Sequence, residues 1–102
     1  MLANCCSRTM NQPECIRLLV EGRAHHAFYQ VLFVDATNAE AARTAARSYL
    51  KSNDAILTAF DEEETAVIDI GDIPAAFMLA ERSSEGIIAA TSRIYVVPEI
   101  SQ

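Results

Sequence analysis

The sequence predicts an α+β domain: a ferredoxin-like βαββαβ sheet with its helices on one face, plus an extra N-terminal strand. Three observations predict it. From residue 27 onward, segments of period-two alternation and segments of helical spacing follow in the order strand, helix, strand, strand, helix, strand. The 102 residues suffice for one core and leave no room for a second. Charged residues at 22%, with three glycines and three prolines, match globular usage and exclude a disordered or low-complexity chain.

Residues 1–14 are polar, lack periodicity and end in Gln12-Pro13-Glu14, so they read as a disordered or loosely docked tail before a single domain at 15–102. From Cys15 to Gly22 the pattern alternates. Ile16, Leu18 and Val20 take one side and Arg17, Leu19 and Glu21 the other, a strand with one mostly wet face that belongs at a sheet edge. Gly22 to His26 breaks the run. Phe28 to Val34 then gives the strongest strand signal, with Phe28, Gln30, Leu32 and Val34 on one face and Tyr29, Val31 and Phe33 on the other. A strand that is mainly apolar on both faces needs cover on both.

Thr37-Asn38-Ala39-Glu40 has the spacing of a reciprocal capping box and starts a helix that runs to about Ser52, with Asn53 as a left-handed stop. Its inward stripe is Ala39, Ala42, Ala45, Ala46, Tyr49 and Leu50. Arg43, Arg47 and Lys51 form a second, basic stripe. Alanine contributes little transfer energy, so Tyr49 and Leu50 do most of the anchoring; with 17 alanines in the chain the core is thin. Ala55–Phe60 and Thr65–Ile70 read as the two strands of a hairpin with Asp61-Glu62-Glu63-Glu64 at its tip. Asp72 is an N-cap, and Pro74 opens a second helix over Ala75–Arg82. Ile87 to Val97 is a last strand, bent at Ala90-Thr91-Ser92 and closed by Pro98. In the standard order the Phe28 strand is flanked on both sides, so the Cys15 strand adds at an edge or the order is not standard. The strands on either side of the first helix should run parallel, directly adjacent or one place apart.

Charge narrows the function classes. The net charge is −6, and the asymmetry is steep: +2 over residues 1–53 and −8 over residues 54–102. Nucleic-acid binding needs clustered positive charge and is not expected; an acidic half that steers a basic partner is. No run is long enough to span a membrane. Leu2-Ala3-Asn4-Cys5 has the look of a lipoprotein box, but no hydrophobic stretch precedes it. Three cysteines, Cys5 and Cys6 adjacent and Cys15 alone, make no disulfide framework and no CxxC site, which fits a reducing cytoplasm.

No catalytic or cofactor signature is present, neither a Gly-rich phosphate loop nor a G-x-S-x-G nucleophile turn, and no cofactor is implied. His25-His26 is the one histidine pair; it is an exposed turn on the plain reading and a proton-transfer or ligating site on the functional one. Asp61, Glu62, Glu63 and Glu64 are a solvated turn that blunts edge-to-edge aggregation, or a dock for a basic partner. Arg93 and Tyr95 share a strand face, where Arg93 either pairs with a carboxylate such as Asp69 or holds an anionic ligand. With two short helices on one face only, Tyr29, Val31 and Phe33 are left to form an interface. Burying about 300 Å² of them is worth about 7 kcal/mol before association costs. The expectation is a small acidic, non-enzymatic interaction module of immunity or regulatory type. It would form a homodimer through its sheet and dock a basic protein. The alternative is a small dimeric enzyme or ligand-binding domain, with a pocket between sheet and helices that uses His25, His26, Arg93 and Tyr95.

Overall fold

The structure, a computed structural model, describes residues 14–96. The tail up to Pro13, the Cys5-Cys6 pair and the Pro98 strand end lie outside the described residues. The elements are β1 (Glu14–Arg23), β2 (Ala27–Val34), α1 (Ala39–Ser52), β3 (Ile56–Asp69), β4 (Ile87–Ala90) and β5 (Ile94–Tyr95), with single 3-10 turns at Ile70–Asp72 and Ala75–Phe77. All five strands form one antiparallel sheet in the order β3-β1-β2-β4, with β5 pairing to β2 beside β4. This is an α+β fold with one α-helix among the described residues, and three strands follow that helix, so a βαββαβ order is not shown.

Four expectations change. The Cys15 strand lies inside the sheet and not at its edge: β1 and β2 form a hairpin through the Ala24–His26 turn, and β3 pairs along the other side of β1. Its supposedly wet side explains why, since Cys15 is buried and Arg17 and Leu19 are half-buried. The hairpin expected at the acidic tetrad does not form. The chain on both sides of it pairs with β1 as one continuous strand, Ala66 opposite Arg17 and Asp61 itself opposite Leu19, and residues 62–65 bulge out of the ladder between them. The tetrad contains no glycine or asparagine to reverse the chain. Instead Asp61 Oδ1 accepts the Glu63 amide at 2.9 Å and the Thr65 hydroxyl donates to the Asp61 carbonyl at 2.9 Å, closing a bulge.

The second helix is absent. Ala75–Phe77 makes one 3-10 turn, after which Met78 is extended and bridges to Ala89. The chain must travel from β3, at one edge, to β4 at the other, and extended backbone covers about 3.3 Å per residue against 1.5 Å in a helix. Finally, the cap of α1 moves by one residue: Asn38 is the N-cap, its Oδ1 accepting the Ala41 amide at 2.8 Å, and the left-handed residue at the other end is Asp54 (φ 64°), not Asn53. The amides of Ala55 and Asp54 bond to the carbonyls of Leu50 and Lys51, the paired bonds of a Schellman stop.

Other features follow the sequence. β2 and β3 both oppose β1, so they run parallel with β1 between them, and α1 is the crossover that joins them one place apart. The last strand breaks at Thr91–Arg93. There the Thr91 hydroxyl accepts the Val31 amide at 3.0 Å, and the buried Gln30 Nε2 donates to the Thr91 carbonyl at 2.7 Å. Ala42, Ala46 and Leu50 of α1 pack on Ile16, Leu18, Val20, Phe28, Leu32 and Val34, a core on the first face of the sheet. Gly22 belongs to this closeness: a Cβ there would lie 2.6 Å from the Phe28 ring. Among the described residues no helix is long and apolar enough to cross a membrane.

Candidate functional site

On the second face, away from α1, the strand registers set the side chains in rows. Ala89, Phe33, Arg17 and Ala66 form one row; Val31, Leu19 and Asp61 the next; Ile94, Tyr29, Glu21 and Ala59 the last. Phe33 is covered. The segment from β3 to β4 crosses this end, seating Ile73 beside Cys15, Phe33 and Ile88, and stacking Phe77 on Phe33 with ring centroids 6.4 Å apart. The crossing ends there. At the opposite end Tyr29 is 41% exposed and Ile94 66% exposed.

The uncovered end holds an open groove of about 700 Å³. Leu19, Tyr29 and Ala59 give it an apolar and aromatic floor; Glu21, Asp61 and the bulged Glu62 and Glu63 give it acidic walls. The bulge puts the carboxylates there, because residues 62–65 stand opposite Leu18 alone, an insertion of three, while Asp61 keeps its place opposite Leu19. Among the described residues the one ion pair is Arg82–Asp35, so none of the groove carboxylates forms an ion pair there. A site of this kind attracts a cation that also presents apolar surface, by Coulomb attraction at the wall and contact at the floor.

The structure thus brings together two groups that the sequence gives separately, Tyr29 from the expected interface and Asp61, Glu62 and Glu63 from the expected dock. It separates others. Phe33 is 4% exposed under the chain's own segment, Val31 is half-buried, and Glu64 does not line the groove. The interface of Tyr29, Val31 and Phe33 is therefore not a single open patch. Leu19, Glu21 and Ile94 are the residues missed; the alternation of β1 places Leu19 and Glu21 on the face opposite the core, but only the strand order shows that Tyr29 and Asp61 flank them.

The second set of candidate ligands does not converge on a pocket. His25 and His26 are exposed in the β1–β2 turn and hydrogen-bond to no carboxylate among the described residues. Arg93 lies over the Phe28 ring at 4.5 Å on the core face and donates to the Asn53 carbonyl at 3.1 Å and the Tyr95 hydroxyl at 3.3 Å. It does not meet Asp69, which sits on β3 at the opposite edge, opposite Glu14. Its guanidinium instead satisfies the C-terminal end of α1, where a positive charge is favoured. Among the described residues no group of three or more His, Cys, Asp or Glu is placed to hold a metal ion.

Cys15 is a buried free thiol whose pKa is raised, first by burial and then by the negative charges of Asp35 and Asp69. A thiol held neutral in this way is a poor nucleophile. Compared with protein-family models, with curated proteins and with solved structures, the chain matches none.

Proposed function

We propose that this domain is a non-enzymatic interaction module that docks a basic segment of a partner protein on the uncovered end of its second sheet face. One observation carries the reading: exposed Ile94 and Tyr29 and half-buried Leu19 form a strip that runs into the carboxylates of Glu21, Asp61, Glu62 and Glu63, none of which forms an ion pair among the described residues. A basic segment with interspersed apolar residues matches both halves of that surface. A second copy matches less well, because it brings a further net charge of −6 to the same walls and because Phe33 is already covered. The enzyme reading loses support with His25 and His26 in solvent and Arg93 engaged by the end of α1.

Calorimetric titration with a peptide of alternating arginine and leucine, beside its glutamate and leucine counterpart, tests the reading. The expected result is binding of the basic peptide alone, weakening as salt rises, since the wall charges are solvent-facing. Glu21→Lys with Asp61→Lys should weaken it at least about tenfold, or about 1.4 kcal/mol. Equal binding of both peptides, or no binding of either, overturns it.

A further inference from the structure

The cover over Phe33 differs in kind from the cover over the other face. Helix α1 packs three fully buried side chains into the first core and is tied in by the chain at both ends. The segment Ile70–Leu79 has one buried side chain, Ile73; Ile70 and Phe77 are half-buried beside it, and Leu79 is half-buried against the first core. Most of its hydrogen bonds are internal: the amides of Ile73, Phe77 and Met78 bond to the carbonyls of Ile70, Pro74 and Ala75. Its ties to the sheet lie at its far end, the Met78–Ala89 bridge and the Leu79 amide on the Ile88 carbonyl at 3.0 Å. Beyond it, the exposed Arg82–Asp35 pair joins the same stretch to the end of β2. At its near end Gly71 has nothing within 4 Å of where a Cβ would stand. Every ladder bond among β1, β2 and β3 is independent of this segment.

We propose that Ile70–Leu79 is a displaceable strap, and that lifting it exposes Phe33, Cys15 and Ile88 and joins them to the groove at Tyr29 as one continuous apolar face. Regions with few buried side chains and peripheral hydrogen bonds open at free energies below that of global unfolding. The strap would set the length of partner segment that the second face accepts. This holds whether or not that segment is basic.

Cys15 reports the opening, because its thiol is buried beneath the strap. The protein with Cys5→Ser and Cys6→Ser is treated with a chromogenic disulfide reagent at a series of urea concentrations below the unfolding transition. Amide hydrogen exchange is followed in parallel. The strap account expects Cys15 to react at a rate almost insensitive to urea and at least tenfold above that set by global unfolding, and expects the Leu79 amide to exchange at least tenfold faster than those of Leu18 and Leu32. Arg82→Ala, a surface change, should speed the thiol reaction further while leaving the urea midpoint in place. Reaction of Cys15 only with the urea dependence of global unfolding, or equal protection of Leu79 and Leu18, overturns the proposal.

Discussion

Phe33 and Tyr29 lie on the same strand, on the same face, four residues apart. One is 4% exposed and stacked under Phe77; the other is 41% exposed beside Glu21. Nothing in the alternation of β2 distinguishes them. The difference arises from the path of a connection: β3 and β4 are opposite edges of the sheet, and the chain joining them crosses the second face at the Cys15 end only. A strand pattern records that a residue faces a layer, and the strand order decides whether that layer exists.

The largest expected contrast follows directly. Phe33→Ala should cost about 3–5 kcal/mol of unfolding free energy in urea titrations, as for an aromatic removed from a packed core. Tyr29→Ala should cost about 1 kcal/mol or less, in the range of surface changes. Similar losses at the two positions would break the comparison. Next, Ile73→Ala should cost about 2 kcal/mol, near the low end for such truncations, because the strap can settle onto the space it leaves. Third, Glu21→Lys and Glu62→Lys should change stability by no more than about 0.5 kcal/mol each while weakening the basic peptide in the calorimeter, which separates binding from folding at the open end.

The thiol of Cys15 sharpens the covered end. Its raised pKa means that the folded state holds the proton more tightly than the unfolded chain does. The stabilisation is therefore complete below the ordinary thiol value of 9.0 and is lost as pH rises through the raised value. The stability difference between the native protein and Cys15→Ala should narrow above pH 9, as read by urea unfolding across the alkaline range. The smallest effect lies at Glu85, whose carboxylate accepts the Ser52 hydroxyl at 2.8 Å and is held below its usual 4.5, chiefly by that bond. Its contribution is present above the usual value and fades as pH falls through the lowered one. An NMR titration of Ser52→Ala should show the Glu85 carboxyl moving back up.

Much of this was legible before any coordinates, and the rest was hidden for identifiable reasons. The two-sided character of β2, the span of α1 to Ser52, the break at Thr91–Ser92 and a crossover joining parallel strands one place apart all depend on local periodicity or on chain handedness, which sequence carries. The acidic tetrad was readable as a charged protrusion but not as a bulge, since four carboxylates suit a turn and a bulge alike; the length of β1, which hosts both halves of β3, made the choice. Ala75–Arg82 has helical composition, and the need to reach β4 from the far edge overrode it. At the site, Tyr29 and Asp61 were each visible as exposed, chemically capable residues. That they face one groove depends on β1 lying between β2 and β3, which no local pattern encodes.

Chemical-shift mapping of the isotopically labelled domain, titrated with the alternating arginine and leucine peptide, tests the central claim most directly. The account predicts the largest shifts at Leu19, Glu21, Tyr29 and Asp61. Shifts centred on α1 or on the His25–His26 turn, or none up to about 1 mM peptide, the range of roughly 4 kcal/mol of affinity, would contradict it.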